Sequence, residues 1–255
     1  MSELAEALAP LARLAGLAVL PAAMVLTRLS LLVFLMPGLG ARVVPSRVKL
    51  AGALALTALL TPSVAGRVPD LALPVLLAGE AMAGAHLGLS LRVSIFALSV
   101  TGTIVAQAMS LSQVFGAGIS EDSSTTVSTL LTLAGMTLFV TAGLHVEAAG
   151  LLLDSYDAFP PGLAGLSSGY AEAATRACAD GFAFGLSLAL PFVLMNLAYN
   201  AVLGLASRAM PQLMVTFVGM PAVTFAGLAL LTGSAGIIMT AWAGRMGDAF
   251  AGALP

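Results

Sequence analysis

Five ionisable side chains lie inside otherwise apolar stretches of this sequence, and their types are the ones that could do chemistry. They are Arg28, Glu80, His86, His145 and Glu147. A charge near the centre of a bilayer costs about 2.5 to 3.5 kcal/mol on insertion scales, so Arg28, Glu80 and Glu147 must each face protein, water or a partner. An ion or proton relay and structural pairing between helices are the two hypotheses for this set. Because the charges are scattered over different segments, we favour structural pairing.

The residue types of this chain argue against a metal site and against a hydrolytic site. A zinc site needs three or four ligands at suitable spacing, and the chain has two histidines and one cysteine, Cys178. No Gly-x-Ser-x-Gly elbow accompanies a His and Asp pair, which leaves an intramembrane hydrolase as a weak enzyme hypothesis. We therefore predict no enzyme activity, no metal and no cofactor.

The elements that position these residues must belong to an integral membrane protein. Of the 255 residues, 59% are hydrophobic and 9% are charged, against roughly 45–50% and about 25% in soluble domains. Ten basic and twelve acidic side chains are too few to cover a soluble globule of this size, whereas lipid needs no such cover. The net charge of −2 also excludes a basic nucleic-acid-binding surface.

Uncharged runs of sequence predict an all-α fold with about six to seven apolar helical segments, several of them broken or kinked. Roughly 20 helical residues cross the bilayer hydrocarbon, at about 1.5 Å per residue. No soluble domain interrupts these runs, so the whole chain, 1–255, is predicted to form one membrane domain. The runs are 14–36, 50–66, 71–91, 93–120, 125–153, 181–207 and 209–244.

Two of these runs are longer than one span and must contain a break. Residues 93–120 and 209–244 would extend over about 42 Å and about 54 Å as straight helices. Ser and Gly concentrate at the end of the first run, which predicts a loop over 109–124. In the second run, Gly219-Met220-Pro221 is the natural place for a break.

The main extramembrane loop is predicted over 154–180. Pro160-Pro161-Gly162 prevents a continuous helix there, and the acidic side chains of this stretch favour water. Elsewhere, glycines at short helical spacing, such as Gly84 and Gly88, permit close helix contact within the chain or between subunits.

The most specific pattern lies within 188–230. Its order of Pro, Gly, Arg, Pro-Gln, Gly-x-Pro and Gly resembles the FliR family, the R component of the flagellar export gate, whose virulence-system homologues share it. The residues of this pattern are Pro191, Gly204, Arg208, Pro211, Gln212, Gly219, Pro221 and Gly227. Residues that extend the resemblance upstream are Arg28, Pro37, Pro45, Arg47, Lys49, Pro62, Glu80, Gly84, Gly88, Gly102 and Gln107.

Two positions depart from the family's usual pattern. The family usually has Gly after its Gln-x-Met, where this chain has Ser110. It usually has Asn-Gly-His where this chain has Ala-Gly-Leu-His, 142–145. The rest of the resemblance covers nearly the whole chain.

The resemblance implies a subunit of a hetero-oligomeric helical gate, built with P and Q subunits at the flagellar basal body in the bacterial inner membrane. The flagellar export switch, the large export-apparatus membrane proteins, membrane lipid and unfolded export substrates are the further partners it implies, with no nucleic acid. The family also contributes a loop that plugs the pore. By its position after Gln107, this loop maps onto Met109, Leu111, Val114, Phe115, Gly116, Gly118 and Ile119.

We therefore predict a structural and gating subunit that helps to form and close a channel for unfolded flagellar or type III substrates. The charged residues Arg28, Glu80, Glu147 and Arg208 are assigned to buried contacts or assembly, and Pro211, Gln212, Gly219 and Pro221 to helix breaks and packing. The alternative is a small secondary transporter, in which Arg28, Glu80 and the broken last segment form a midplane solute site.

Overall fold

All regular secondary structure in the described part of the chain is helical. The computed structural model describes residues 2–41, 44–110, 120–162, 169–209 and 215–254, and the side chains of 19–41, 44–110, 126–162, 169–209 and 221–254. Its helices are α1 (Ser2–Leu35), α2 (Ser46–Val64), α3 (Leu73–Ala108), α4 (Ser120–Thr141), α5 (Leu144–Ala158), α6 (Gly169–Ala209) and α7 (Val215–Ala251). A short 3-10 turn, Ala65–Arg67, follows α2.

Several of these helices suit a bilayer by length and composition. Within the part of the chain that the structure describes, four apolar stretches are long enough to cross it, in α2, α3, α6 and α7. A fifth span results if Thr126–Thr141 and Leu144–Ala158 are taken together. The prediction of an all-α membrane protein is therefore confirmed.

Helix α3 joins two runs that the sequence analysis separated at Arg92. It continues for 36 residues through that position, and the Arg92 side chain is exposed. The separation was wrong because a charge alone does not end a helix, and arginine is a good helix former. The helix ends at Ala108, at the edge of the predicted loop.

The helix predicted over 125–153 is divided in two. Gly143 has a left-handed backbone, with φ +76°, and it lies between the end of α4 at Thr141 and the start of α5 at Leu144. Glycine adopts this conformation without a steric penalty, which makes it a common helix terminator. The prediction overlooked it because Gly143 is embedded in apolar residues.

The predicted extramembrane loop is shorter than 154–180. Helix α5 continues to Ala158 and α6 begins at Gly169. The stretch after Gly169 is rich in Ala and contains Glu and Arg, all of which favour a helix. Among the described residues between these two helices, 159–162 are not helical, and Gly162 has φ +76°.

The break predicted at Gly219-Met220-Pro221 is wrong, because the helical backbone continues through these residues. Helix α7 begins at Val215 and continues through Pro221 to Ala251. A proline removes one backbone donor, and apolar helices tolerate this when neighbouring groups adjust locally. Pro211 and Gln212, which were also assigned to helix breaks and packing, lie outside the described residues.

The chain divides into two compact units, each with its own core. Unit 1 comprises Met1–Arg92, Ala142–Thr175 and Asp248–Pro255, and unit 2 comprises Val93–Thr141 and Arg176–Gly247. Large buried side chains of unit 1 include Met24, Leu29, Leu32, Leu76 and Leu87, and those of unit 2 include Leu98, Phe139, Phe192 and Trp242. In unit 2 the indole Nε1 of Trp242 donates to the carbonyl of Ser94 at 2.8 Å, which satisfies its one polar atom.

Candidate functional site

A fully buried ion pair lies at the centre of unit 1. Arg28 of α1 and Glu80 of α3 are both inaccessible to solvent. The guanidinium Nε donates to Glu80 Oε2 at 2.8 Å and Nη2 donates to Oε1 at 3.2 Å. This bidentate geometry matches the planar fork of arginine to the two carboxylate oxygens.

Every N–H of the Arg28 guanidinium has an acceptor. Besides its bonds to Glu80, Nη1 donates to the Ser155 carbonyl at 3.1 Å and to Ser155 Oγ at 3.0 Å, and Nη2 donates to the Phe159 carbonyl at 3.1 Å. The Tyr156 ring lies under the cation, with Cζ 3.9 Å from its centroid. Since a guanidinium has five N–H donors, Arg28 is saturated by its own chain. The pair therefore joins α1, α3 and the end of α5 as a structural pin.

Three glycines of α3 allow the backbones around this pair to approach closely. A Cβ at Gly84 would overlap the backbone of Arg28, and one at Gly88 would lie 2.7 Å from the Leu35 Cβ. A Cβ at Gly79 would lie 2.8 Å from the Gly162 carbonyl oxygen. Such distances exclude a side chain unless the backbone moves. The glycine spacing noted in the sequence thus serves contacts within the chain.

An aromatic groove adjoins the same cluster. The His86 ring makes edge contacts with Phe159 and Tyr170, at centroid distances of 5.9 Å and 5.0 Å. The groove has a volume of about 260 Å³, and the rest of its lining is Gly169, Ala173, Gly252, Ala253 and Leu254. His86 is therefore held among rings and backbone near the end of the described chain.

Unit 2 shows the same use of small residues. A Cβ at Gly185 would lie 2.6 Å from the Ala97 carbonyl oxygen, and one at Gly181 would overlap Val93. Thr101 Oγ1 donates to the Gly185 carbonyl at 2.9 Å, which bridges α3 and α6. Close packing of α6 on the carboxyl half of α3 depends on these glycines.

The described beginning of the predicted plug is anchored in unit 2. Met109 is fully buried, and its carbonyl accepts a hydrogen bond from Thr224 Oγ1 of α7 at 2.8 Å. A Cβ at Gly227 would overlap the Met109 side chain. The other plug residues, Leu111, Val114, Phe115, Gly116, Gly118 and Ile119, lie outside the described residues.

The remaining charged candidates are exposed, unlike the ion pair. Glu147 and His145 are exposed at the start of α5, and Arg208 is exposed at the end of α6. The roles of Glu147 and Arg208 in assembly stay predictions. The structure brings together only Arg28 and Glu80 of the four charges assigned to buried contacts, with His86 near them.

Sequence reasoning missed Ser155, Tyr156 and Phe159, which complete the environment of Arg28. They lie in the polar stretch that was interpreted as a loop. Two of the three acceptor atoms that Arg28 uses outside Glu80 belong to backbone carbonyls, and such acceptors leave no residue-type signal. Only the aromatic Tyr156, suited to stacking under a cation, could have been found from its type.

Comparisons with known proteins agree with this architecture. Residues 19–249 match the family model described as "Bacterial export proteins, family 1". The chain belongs to this family. It is 32% identical over 208 residues to a protein of Caulobacter vibrioides named "Flagellar biosynthetic protein FliR", a match that covers 78% of this chain and 82% of the relative. A protein of the same name from Escherichia coli is 32% identical over 200 residues, which cover 77% of each chain.

Membership of the export family fixes the general role of the chain. It is a component of the bacterial flagellar export apparatus, and its apolar helices make it a membrane protein of the inner membrane at the basal body. The predicted family, localisation and fold class are confirmed.

One departure from the usual family pattern has a structural counterpart. Ser110, which stands where the family usually has Gly, has φ +53°. This left-handed conformation costs a side chain roughly 1–2 kcal/mol and costs glycine almost nothing. The backbone of this position is thus one that glycine suits, although the chain has serine there.

Proposed function

We propose that this chain is a structural and gating subunit of the flagellar protein export channel. It helps to form the passage for unfolded substrates and to close it at rest. The family assignment supports the export apparatus, and the surface of the described helices supports the role of a subunit.

The observation that carries this proposal is the apolar surface that the chain does not bury by itself. In the most apolar windows of α6 and α7, 22% and 28% of the residues are buried. Large exposed side chains on these helices include Phe182, Leu194, Leu197, Leu205, Phe225 and Ile237. Helices that are apolar on most faces need lipid or other protein chains around them.

The partners we propose are the P and Q subunits of the gate, with the export switch and the large export-apparatus membrane proteins as further neighbours. Arg208 and Glu147 are exposed in the isolated chain, so partner chains or water must solvate them. Arg208, with Pro211 and Gln212 shortly after it, is a candidate for an assembly contact.

Closure of the channel is assigned to the segment that begins at Met109. Its apolar residues, Leu111, Val114, Phe115 and Ile119, can keep a narrow passage dry and block ions. The buried Met109 and its bond from Thr224 support the proposal by fixing the point from which this segment leaves α3.

The transporter alternative required Arg28 and Glu80 to face a solute together with a broken last helix. Arg28 uses all its donors within the chain, and α7 continues through the expected break. These observations favour the subunit over the transporter.

Purification in mild detergent tests the proposal. The tagged chain should elute with other export-apparatus chains in a complex whose mass exceeds that of the 25.5 kDa monomer. A monodisperse, long-lived monomer from cells that produce the whole apparatus would contradict it.

A further inference from the structure

The carboxyl half of α6 extends beyond the packing of its own chain. None of residues 193–209 is buried. The apolar side chains Leu194, Leu197, Val202 and Leu205 are each at least 60% exposed. Something outside this chain must therefore surround this half of the helix.

Two asparagines lie within this otherwise apolar stretch. Asn196 and Asn200 are one helical turn apart, and the amide nitrogen of Asn200 donates to the Asn196 carbonyl at 2.8 Å and to Asn196 Oδ1 at 2.9 Å. With 100° per residue, Leu203 and Ser207 fall on the same face within about 60°. Leu194, Ala198 and Leu205 lie on the opposite face, which is apolar as far as Arg208 near the end of the helix.

The hydrogen bonds between Asn196 and Asn200 leave one amide atom of each side chain unused. Asn200 has used its amide nitrogen, so its Oδ1 remains as an acceptor. Asn196 acts only as an acceptor in these two bonds, so its Nδ2 remains as a donor. In the described residues neither of these two atoms has another partner. An unsatisfied polar group costs free energy in hydrocarbon, so this face is poorly suited to lipid.

We infer that Asn196 and Asn200 bind a transmembrane helix of another export-apparatus chain, through a side-chain amide on that helix. An amide offers one donor group and one acceptor, which complement the free Nδ2 of Asn196 and the free Oδ1 of Asn200. A carboxylate or a cation would satisfy only one of the two. Polar side chains of this kind are known to join helices within membranes. The inference rests on the proposed function, since it deepens the account of the partners.

Co-purification with a double variant tests this contact. Asn196→Leu with Asn200→Leu should lower the ratio of partner chains to tagged chain about tenfold, since two interhelical hydrogen bonds are lost. Asn196→Gln with Asn200→Gln should restore part of the ratio. Thr232→Val is the matched control, because Thr232 is exposed on α7 and donates to its own backbone at Leu228, and its ratio should change less than about twofold.

A photoreactive side chain gives a second measurement in an otherwise unaltered chain. Placed at Leu203 it should form an adduct with another protein, and placed at Leu205 on the opposite face it should not. This measurement decides the question if the double Leu variant fails to accumulate in membranes.

The outcomes separate this inference from the proposed function. If the unaltered chain purifies with no other apparatus chain, the proposed function fails. If it purifies with partners and the double Leu variant does so equally well, the asparagine contact is wrong and the function stands. An adduct between two copies of this chain would show that the partner is a second copy, and lipid adducts alone from Leu203 would overturn the contact.

Discussion

Gly84 of α3 lies against the backbone of Arg28 in α1, so closely that any Cβ would overlap the Arg28 carbonyl oxygen. Glu80, one turn earlier in α3, forms the buried ion pair with the side chain of the same arginine. Backbone approach and charge pairing therefore act on one residue. Close packing shields the pair from water, and the pair fixes the two helices at the distance that the glycine permits.

The first prediction concerns Glu80. Glu80→Gln removes the charge that pairs with a buried guanidinium, and breaking such a pair typically costs about 3–5 kcal/mol. We expect the variant to lose most of its membrane abundance and its resistance to protease in detergent. Asp157→Asn is the matched control, because Asp157 pairs with Arg67 at 2.5 Å while its side chain is 74% exposed, and exposed pairs contribute about 0–1 kcal/mol. Equal losses in both variants would contradict the assignment of Arg28 and Glu80 as a structural pin.

The second prediction concerns Gly84. Gly84→Ala should destabilise the chain by about 1–3 kcal/mol, because the added Cβ forces α1 and α3 apart. Thermal unfolding of the purified complex measures the effect. At Gly52 of α2 a Cβ would meet nothing within 4 Å, so Gly52→Ala should leave stability unchanged or raise it by about 0.5–1 kcal/mol. If the Gly84→Ala variant were as stable as the unaltered chain, the contact between α1 and α3 would have to accommodate a Cβ without cost.

A third prediction compares two left-handed positions. Ser110→Gly should stabilise the chain by about 0.5–1 kcal/mol, because glycine adopts the φ of +53° without steric cost. Gly143→Ala should destabilise it by about 1 kcal/mol for the opposite reason. No atom lies within 4 Å of a Cβ at Gly143, so the effect there comes from the backbone alone. Shifts in the unfolding temperature that share one sign would refute this interpretation.

The fourth prediction concerns closure of the channel. Deletion of residues 115–119 should leave assembly intact and make the membrane permeable to ions and small solutes, because the segment lacks charge and provides the apolar bulk of the proposed plug. This permeability is measured as the conductance of cells, or of vesicles that contain the purified gate. If the deleted gate assembles and its conductance equals that of the unaltered gate, the plug assignment is wrong.

The last prediction concerns Arg208, which is exposed at the end of α6. Arg208→Ala should lower the yield of the assembled complex, since a cation at a helix end interacts with exposed carbonyls or with a partner carboxylate. Arg208→Lys keeps the charge and should retain part of the yield. If complex yield and motility equal those of the unaltered chain, Arg208 makes no assembly contact and lies only at the solvated edge of an interface.

The sequence indicated the buried charges but only half of their surroundings. Arg28 and Glu80 were conspicuous because charges are costly in apolar segments. Ser155 and the Phe159 carbonyl were not, because hydroxyls and backbone acceptors occur everywhere and their partners depend on the fold. The apolar runs predicted the membrane spans. The points where one helix ends and the next begins depended on single residues such as Gly143, whose left-handed conformation cannot be read from its apolar neighbours.

Length arguments were less reliable than backbone chemistry. Residues 209–244 were predicted to break at Pro221 because the run exceeds one bilayer, yet a helix in a protein assembly need not match the thickness of the hydrocarbon. Arg92 was treated as a boundary for a different reason, because its charge ends an uncharged run. A helix ends where its backbone hydrogen bonds end, and neither position ends them.

The partners of Arg28 lie far along the chain, which has a consequence for biosynthesis. Glu80 is 52 residues away and Ser155 and Phe159 are 127 and 131 residues away. At roughly 5–20 residues per second of translation, the ribosome needs roughly 6 to 25 s after Arg28 before Ser155 exists. Glu80 follows Arg28 after roughly 3 to 10 s at the same rates, and for the rest of the interval the paired guanidinium still lacks the acceptors that Ser155 supplies. We therefore expect Arg28 to reach its final environment only after α5 has been made, and a chain that stops earlier leaves part of this guanidinium without acceptors.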